Sequence, residues 1–388
     1  MPDSNPIEHI SGFHAELAKL RQTIHAHPEL GLEEHQTAAL VAKTLTELGI
    51  EVHTGIGTTG VVGVLRAGSG GKKIGLRADM DALPIEEETN LAYSSRNAGR
   101  MHACGHDGHT TMLLGAARYL AETRNFDGTV HFIFQPGEEG IGGALAMLND
   151  GLFERFPCDA IYAMHNRPGL EVGKFAIAKG PSAAGGAFFD ITVTGRGTHG
   201  ARPEVGIDPV LVASHIVTAL QSIVARNVRP LDTAVLSVTR ITGGDAYNVI
   251  PETATIAGTA RAFSKEVMTL LEANMTRIAK GVAEGFGATA EVDFRVIFAP
   301  LVNDAEQTDA IADAAAALVG EANVDRAKSP GMGSEDFSFM MEKVPGAYIQ
   351  VGNGDSAQLH NPAYNFDDAC TPYGAALFAA LVERKLGR

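Results

Sequence analysis

The sequence predicts an α/β protein with a mostly parallel central sheet, into which a smaller α+β domain is inserted. Three observations lead to this prediction. The chain has 388 residues, which is too long for one ordinary hydrophobic core. Short, almost wholly apolar segments alternate with helical patterns, as in parallel sheets that are buried on both faces. Near residue 184 this pattern gives way to strands with alternating polar and apolar residues.

The first part of the chain shows helices followed by strand–helix alternation. Apolar residues at helical spacing predict helix over residues 7–49, with a break at Pro28 and Gly31. Apolar, β-branched runs then predict four strands, at residues 61–68, 72–80, 129–136 and 159–166. Each strand ends in a cluster of polar residues, which is where open α/β sheets place their ligands.

The middle of the chain has a different organisation. Residues 184–298 show the order β-α-β-β-α-β, which is typical of the ferredoxin-like unit. After residue 298 the strand–helix alternation resumes. We therefore predict a discontinuous catalytic domain made of residues 1–183 and 299–388, with an inserted domain at 184–298.

Composition excludes several classes of partner. The formal net charge of −15 argues against nucleic acid, because phosphate binding needs a basic surface. No run approaches the roughly 18 apolar residues of a membrane span, and the N-terminal segment lacks a secretory signal pattern. Three cysteines, an odd number, suit a reducing compartment. We expect a cytoplasmic protein without a membrane or nucleic-acid partner.

One glycine motif resembles a dinucleotide-binding fingerprint. Residues 55–60 match G-x-G-x-x-G, but a strand pattern follows them, whereas the fingerprint requires a helix at that place. We therefore predict a turn between two strands and no nucleotide site.

Residues with metal-binding side chains stand at the ends of apolar runs. They are Cys104, His106, Glu138, Glu139, His165 and His360. Taken singly, a histidine is usually structural and a cysteine is usually a small buried hydrophobe. Together, thiolate and imidazole ligands suit zinc, manganese, nickel or cobalt better than calcium or magnesium. The combination predicts a metal-dependent hydrolase.

The adjacent glutamates suggest two separate roles, one as a metal ligand and one as a base. A carboxylate that binds metal is a poor base, while its free neighbour can move a proton. Both can serve one site only if the backbone turns between them, and Gly137 and Gly140 permit that turn. The alternative is a pair of solvated glutamates in a loop.

Two aspartates end another apolar strand. Asp79 and Asp81 would share one face if the strand continues, and either could orient a metal ligand by a hydrogen bond. For Asp79, a helix cap or an Asx turn before Pro84 is an equal alternative.

Ten segments in order resemble one family over almost the whole chain. They include HPELGLEE, LRADMDALP, MHACGHDGH, FQPGEEG, AMHNRPG, GTHGARPE, NVIPE and GSEDF. On these motifs the chain resembles the M20 metallopeptidase family, in particular the amidohydrolase branch of hippurate hydrolases, N-acyl-amino-acid aminoacylases and auxin-conjugate hydrolases. The resemblance implies a zinc-peptidase-like catalytic domain and an inserted dimerisation domain.

The resemblance also implies a two-metal centre. Two divalent transition-metal ions per subunit (Zn, Mn, Co or Ni) would be bound by five residues: Cys104, His106, Glu139, His165 and His360. Glu138 matches the general base of the family, and Asp81 matches the aspartate that supports the site. Asp79 stands where many relatives outside this branch have a metal-binding histidine. His109, one helical turn past the motif, is expected to be structural.

Three residues of the inserted domain have counterparts in the family. His199 matches a histidine that polarises the scissile carbonyl, in many relatives from the neighbouring subunit. From the residues alone, a histidine in a turn is the alternative. Asn248 and Arg261 match positions that hold the substrate carboxylate, a task for which a guanidinium is suited because it forms two parallel hydrogen bonds.

We predict an enzyme that hydrolyses the amide bond of a small N-acyl amino acid or dipeptide-like substrate and that forms a homodimer or a dimer-based oligomer. The alternatives are a metallo-dipeptidase, a carbamoyl-type amidase, or a non-catalytic ligand-binding relative. A preference for a free α-amino group would favour the dipeptidase. Serine hydrolysis is excluded because no G-x-S-x-G nucleophile motif occurs.

Overall fold

The computed structural model describes residues 5–387, which form two compact units. Unit 1 contains the chain up to Ser182, Val302–Ser329 and the segment from Asp336 onward. Unit 2 contains Ala183–Leu301 and Pro330–Glu335. Two short strands, β7 (Gly180–Ala183) and β14 (Leu301–Asn303), lie where the chain passes from one unit to the other.

Unit 1 is built on a mixed sheet of eight strands in the order β1-β2-β4-β3-β5-β16-β6-β15. The strands are β1 (Glu51–Ile56), β2 (Gly60–Ala67), β3 (Lys73–Asp79), β4 (Gly128–Gln135), β5 (Ala160–Arg167), β6 (Phe175–Ala176), β15 (Val324–Asp325) and β16 (Gly346–Gly352). The four central strands β4, β3, β5 and β16 are parallel. Antiparallel pairing is confined to the sides, where β1 and β2 form a hairpin and β6 runs against β16.

Helices cover the sheet of unit 1. They are α1 (Pro6–Ser11), α2 (His14–His25), α3 (His35–Glu47), α4 (His106–Thr123), α5 (Gly143–Asn149), α6 (Leu152–Arg155), α9 (Ala305–Val319), α10 (Phe337–Met341) and α11 (Thr371–Lys385). Helices α4 and α11 pack against each other and are almost wholly buried. Gly374 of α11 allows this packing, since a Cβ there would overlap the Met112 side chain of α4, and Gly108 in the first turn of α4 likewise makes room for the Phe366 ring. The first turn of α4 is therefore held in the interior.

Unit 2 has the predicted β-α-β-β-α-β order. Its antiparallel sheet has the strand order β10-β12-β8-β13. The elements are β8 (Gly185–Thr194), β9 (Thr198–His199), α7 (Pro209–Arg226), β10 (Ala234–Gly243), β11 (Val249–Ile250), β12 (Thr253–Ala262), α8 (Lys265–Gly285) and β13 (Thr289–Phe298). Apolar side chains of both helices and the sheet, such as Ile191, Ile216 and Leu271, form its core.

Helix α7 is unusually apolar for its length. Among the described residues it is the one helix long and apolar enough to cross a membrane by those criteria alone. Its side chains Val212, Ile216 and Leu220 are buried in the core of unit 2. The helix begins at Asp208, whose carboxylate accepts hydrogen bonds from two backbone N–H groups of the first turn.

The secondary structure agrees closely with the sequence patterns. The four predicted strands of the first part are β2, β3, β4 and β5, and the helical break at Pro28 separates α2 from α3. Residues 55–60 form the turn of the β1–β2 hairpin, so the prediction of a turn there is confirmed. Short 3₁₀ helices (Pro203–Val205, Glu321–Asn323 and Asp368–Cys370) complete the assignment.

Candidate metal centre and catalytic residues

The candidate ligands lie at the ends of strands of unit 1 and in adjacent loops. His165 is in β5, the two glutamates follow β4, His106 opens α4, and His360 is in the loop after β16. Gly105 separates Cys104 from His106 with a φ of +90°, and a Cβ there would lie 2.6 Å from the Asn166 Oδ1 atom. Only glycine fits this turn, which directs both neighbouring side chains to one place.

The six side chains form three overlapping groups, in each of which the potential ligand atoms lie within 4.8 Å of one another. The groups are Cys104 with His106 and His165, Cys104 with Glu139 and His360, and His106 with Glu138 and Glu139. The Cys104 Sγ atom lies 3.4 Å from His165 Nε2, and His360 Nε2 lies 3.2 Å from Glu139 Oε1. All five expected ligands and the expected base thus meet in one place, with Cys104 common to two groups.

Hydrogen bonds fix which nitrogen of His106 and of His165 faces the cluster. His106 Nδ1 lies 3.1 Å from Asp81 Oδ1, and His165 Nδ1 lies 2.7 Å from the backbone oxygen of Asn166. Each Nδ1 therefore carries a proton, so that in the neutral imidazole, the form that binds metal, the lone pair is on Nε2 and faces the cluster. Within residues 5–387 the buried His106 Nε2 has no hydrogen-bond partner. An orphaned lone pair of this kind is suited to a metal ion.

Cys104 and Glu139 favour a positive charge on the neighbouring His360. Hydrogen bonds to Cys104 and Glu139 raise the pKa of His360 to about 10. Burial raises the pKa of the Cys104 thiol, and burial together with the nearby His109 lowers the pKa of His165 well below its usual value. Protons and divalent cations compete for the same thiolate, imidazole and carboxylate atoms. A site that holds a proton this strongly on His360 is one that a cation would also favour.

The residue His360 has an unusual backbone conformation. Its φ is +63°, in the left-handed region that few residues other than glycine adopt, and its N–H donates to the Ala103 oxygen at 2.8 Å. Such a conformation persists only where the surroundings impose it. Here it holds the imidazole beside Cys104 and Glu139.

The two aspartates after β3 have separate partners. Asp81 bonds to His106 through Oδ1 and accepts the backbone N–H of Glu139 through Oδ2 at 2.9 Å, so it joins two of the candidate ligands. Asp79 lies 2.6 Å from His109 Nδ1 and accepts from Arg77 Nη1 at 2.8 Å. Although burial raises it, the nearby His106, His109 and Arg77 together lower the pKa of Asp79 well below its usual value. The guanidinium at Asp79 disfavours a further cation there.

The three candidate residues of unit 2 are near its surface. His199 in β9 pairs with Val249 in β11, and the Gly200 N–H donates to the Asn248 oxygen at 2.7 Å, so His199 and Asn248 are neighbours. The Ala201 N–H donates to His199 Nδ1 at 3.0 Å, which places the ring proton of the neutral imidazole on Nε2. Arg261 lies apart from them in β12, opposite Gly186 of β8.

Several polar residues next to the site are not evident from motif spacing. Asn166 bonds to His109 Nε2 through Oδ1 and to the Tyr364 hydroxyl through Nδ2, at 2.7 and 2.5 Å. Arg77 is buried in the middle of β3 and bonds to Gln135 at the end of β4. The presence of Arg77 inside an apolar strand could have predicted this network from the sequence, because a buried guanidinium needs hydrogen-bonding partners.

Comparison with known proteins gives consistent matches over the whole chain. Hippurate hydrolase of Campylobacter jejuni is 45% identical over 382 residues, which cover 98% of this chain and 100% of that protein. N-acetylcysteine deacetylase of Bacillus subtilis is 39% identical over 371 residues, which cover 95% and 96%. The crystal structure of the Bacillus subtilis YXEP protein, described as a dinuclear metal binding peptidase from the M20 family, has a TM-score of 0.86, with 35% identity and coverage of 97% and 99%.

The family model gives the same assignment. The model of peptidase family M20/M25/M40 matches residues 75–384, a range that includes every candidate site residue described above. The chain therefore belongs to peptidase family M20/M25/M40.

Proposed function

We propose that this protein is a metal-dependent amidohydrolase that cleaves N-acyl amino acids into a carboxylic acid and a free amino acid. The observation that carries the proposal is the convergence of a thiol, three imidazoles and a carboxylate beside a second carboxylate, Glu138, next to the parallel central strands of unit 1. The named activities of relatives that align over nearly the whole chain support the same reaction class.

Two divalent transition-metal ions per chain would be held by Cys104, His106, Glu139, His165 and His360. The donor set of sulfur, nitrogen and oxygen suits Zn, Mn, Co or Ni, and the fixed Nε2 lone pairs of His106 and His165 fit this use. Such ions, when bound, acidify a water molecule and polarise a carbonyl oxygen. The dinuclear description of the YXEP relative supports two ions.

Glu138 would move the proton in this reaction. It is buried, and its carboxylate lies within 4.8 Å of ligand atoms of His106 and Glu139. It takes a proton from the attacking water and delivers it to the amide nitrogen. A carbon–oxygen bond forms, the carbon–nitrogen bond breaks, and the amino acid leaves with a neutral amine.

Arg261 and Asn248 would select a substrate with a free carboxylate. Burial lowers the pKa of the half-buried Arg261, whose Nη1 donates to the Thr259 hydroxyl and to the Ala260 oxygen. No carboxylate of the described residues forms an ion pair with it. A guanidinium without an anionic partner is suited to a substrate anion.

His199 would donate a hydrogen bond to the scissile carbonyl oxygen. Its Nδ1 is occupied by the Ala201 N–H, so the proton on Nε2 is available to an acceptor, and the side chain is exposed. A donor aimed at the oxygen that gains negative charge lowers the barrier of acyl transfer.

Unit 2 would also form the contact of a cytoplasmic homodimer. The exposed face of α7 carries no lysine, arginine, aspartate or glutamate before its last turn: Val210, Leu211, Ser214, His215, Thr218 and Gln221. Strand β10 is at the edge of its sheet, where unpaired backbone groups favour pairing with a second copy. An uncharged helix face beside an open strand edge is typical of a symmetric interface.

A substrate panel tests the proposed reaction. We expect purified protein, loaded in turn with Zn, Mn, Co and Ni, to release amino acid from benzoylglycine and N-acetyl amino acids faster than from unmodified dipeptides or N-carbamoyl amino acids. Faster cleavage of substrates with a free α-amino group would assign the protein to the dipeptidases instead. No release with any metal would refute the proposal.

A further inference from the structure

We propose that Glu34 is a positioning residue that fixes the turn carrying Glu138, so that the HPELGLEE segment acts on catalysis from outside the metal centre. This inference rests on the proposed role of Glu138 as the base. Neither Glu34 nor its segment belongs to the candidate ligands or to the substrate-binding residues.

Glu34 is fully buried between two loops of unit 1. Its Oε1 atom accepts the backbone N–H of Gly137 at 2.8 Å, and its Oε2 atom accepts the Thr59 hydroxyl at 2.5 Å. One carboxylate thus joins the loop before α3, the turn of the β1–β2 hairpin and the residue that precedes Glu138. A buried carboxylate is expensive without such bonds, so its place here is specific.

The residues on both sides of Glu138 are held by buried carboxylates. The Gly137 N–H bonds to Glu34, and the Glu139 N–H bonds to Asp81 at 2.9 Å. Gly137 and Gly140 have φ values of +56° and +81°, and glycines lose more conformational freedom on ordering than other residues. External anchors on both sides therefore restrict a turn that its own sequence leaves flexible.

Close backbone approaches hold the same turn sterically. A Cβ on Gly31 would lie 2.8 Å from the Gly137 Cα and 2.2 Å from the Ile141 Cδ1 atom. A Cβ on Gly57 would lie 2.5 Å from the backbone nitrogen of Met147 in α5, the helix that follows the turn. Two glycine-containing segments therefore pack on this turn and on helix α5: residues 28–35 and residues 55–60. Neither segment contributes a candidate ligand.

Glu29 provides a matched control in the same segment. It is also buried, and it accepts the N–H groups of Gln36 and Thr37 and the Thr37 hydroxyl. These bonds cap helix α3, and none reaches the turn at Glu138. The two buried carboxylates therefore have different roles. Glu29 stabilises the start of helix α3, and Glu34 holds the turn that carries Glu138.

The test compares Glu34→Leu, Glu34→Gln and Glu29→Gln in the full-length, metal-loaded protein with benzoylglycine as substrate. Glu34→Leu is expected to lower kcat about 10- to 100-fold, because a displaced base loses its alignment, with KM and metal content within about twofold. Glu34→Gln can still accept the Gly137 N–H through its amide oxygen and should retain kcat within about threefold. Glu29→Gln should lower Tm and leave kcat unchanged. Native kcat in Glu34→Leu, or an equal loss in Glu34→Gln, would overturn the inference.

A second variant and a second readout keep the test decisive if Glu34→Leu does not fold. Gly31→Ala adds one methyl group against the turn and should lower kcat about 10-fold with metal content retained. Deuterium exchange of the peptide that contains Gly137 should be faster than in the native protein for Gly31→Ala and Glu34→Leu, and unchanged for Glu29→Gln. Unchanged exchange in the first two would overturn the inference. If the native protein has no amidase activity, the proposed function is refuted. The role of Glu34 in holding the turn can still be tested in that case, because deuterium exchange measures it without catalysis.

Discussion

The two units of the molecule differ in what they bury. Unit 1 encloses whole ionic networks, such as Arg21 with Asp107 and Arg77 with Asp79, at distances of 2.9 and 2.8 Å and with both guanidinium groups at most 1% exposed. In unit 2, all of whose residues the structure describes, Glu335 is the one buried polar or charged side chain, and residues 183–301 contain none. The candidate residues of unit 2 are instead exposed or half-buried.

Under the proposed function, unit 1 would hold the metal ligands and the base, and unit 2 would supply the contacts to the substrate. Removing charges from water costs several kcal/mol per ion unless partners compensate for it, so buried networks persist where groups must be held in one geometry. In unit 1 these networks surround the candidate ligands and the turn of Glu138. An apolar core needs no such networks, and unit 2 can present His199, Asn248 and Arg261 at its surface to a substrate.

Replacing Glu138 should have the largest effect among single substitutions. Glu138→Ala removes the proton carrier from unit 1 and should lower kcat at least about 10³-fold, while metal content stays at the native level because Glu139 remains as the ligand. Steady-state rates with benzoylglycine and elemental analysis of the same sample measure both quantities. Activity within tenfold of native would remove Glu138 as the base.

Replacing His199 tests whether an exposed residue of unit 2 takes part in the reaction. His199→Ala should lower kcat about 100-fold, since one hydrogen-bond donor to the developing oxyanion is lost. His53→Ala is the control, because that ring lies on the surface of unit 1 beside Glu51. Equal activity of the two variants would assign His199 a structural role in its turn.

Mixing subunits shows which chain supplies His199. Inactive Glu138→Ala and His199→Ala proteins, dissociated and reassociated together, should regain part of the native rate if His199 acts on the neighbouring subunit. A mixture as slow as its components would place both residues on one subunit's site.

Replacing Arg261 should mainly alter substrate selection. Arg261→Lys loses the paired hydrogen bonds to a carboxylate and should raise KM for benzoylglycine about 10-fold, with a smaller change in kcat. Its preference for benzoylglycine over the uncharged amide of that compound should fall by the same factor. Arg295→Lys is the control, because Arg295 is already paired with Asp190 and Asp293. An unchanged preference in Arg261→Lys would exclude the carboxylate contact.

The buried network of unit 1 should make its stability depend on pH. Although burial lowers it, hydrogen bonds to Asp107 and Glu87 raise the pKa of His25 to about 9. The same network includes Arg21. The ring of His102 lies nearby, and burial lowers the pKa of this histidine to about 4. Because the pKa of His25 is higher in the folded protein, its protonated ring stabilises the fold. This stabilisation is complete below about pH 6.5 and is lost as the pH rises through 9.

Urea unfolding at pH 6 and pH 9 measures this contribution. The free energy of unfolding of the native protein should fall by up to about 3 kcal/mol between the two values. His25→Gln should be less stable at pH 6 and should lose little more by pH 9. An equal decline in native protein and variant would show that other groups cause it. This effect concerns stability alone and leaves catalysis unchanged.

The strands and helices of unit 1 could be predicted from the sequence, and the six side chains predicted to meet do lie close together. Apolar runs identify the strands, and polar residues that follow parallel strands are brought to one edge of the sheet, as His165 and the two glutamates are. The partners of Asp79 could not be foreseen, since pairing of its carboxylate with Arg77 and His109 depends on side-chain directions in the folded interior. The anchor from Glu34 to Gly137 joins residues 103 positions apart that no local pattern connects.

Removal and return of metal tests the central claim most directly, that the six clustered side chains of unit 1 form a divalent-metal centre for amide hydrolysis. Exhaustive chelation of the native protein should abolish benzoylglycine hydrolysis, and titration with Zn, Mn, Co or Ni should restore it at two ions per chain. Full activity in chelated protein whose metal content has fallen below a tenth of an ion per chain would contradict the account.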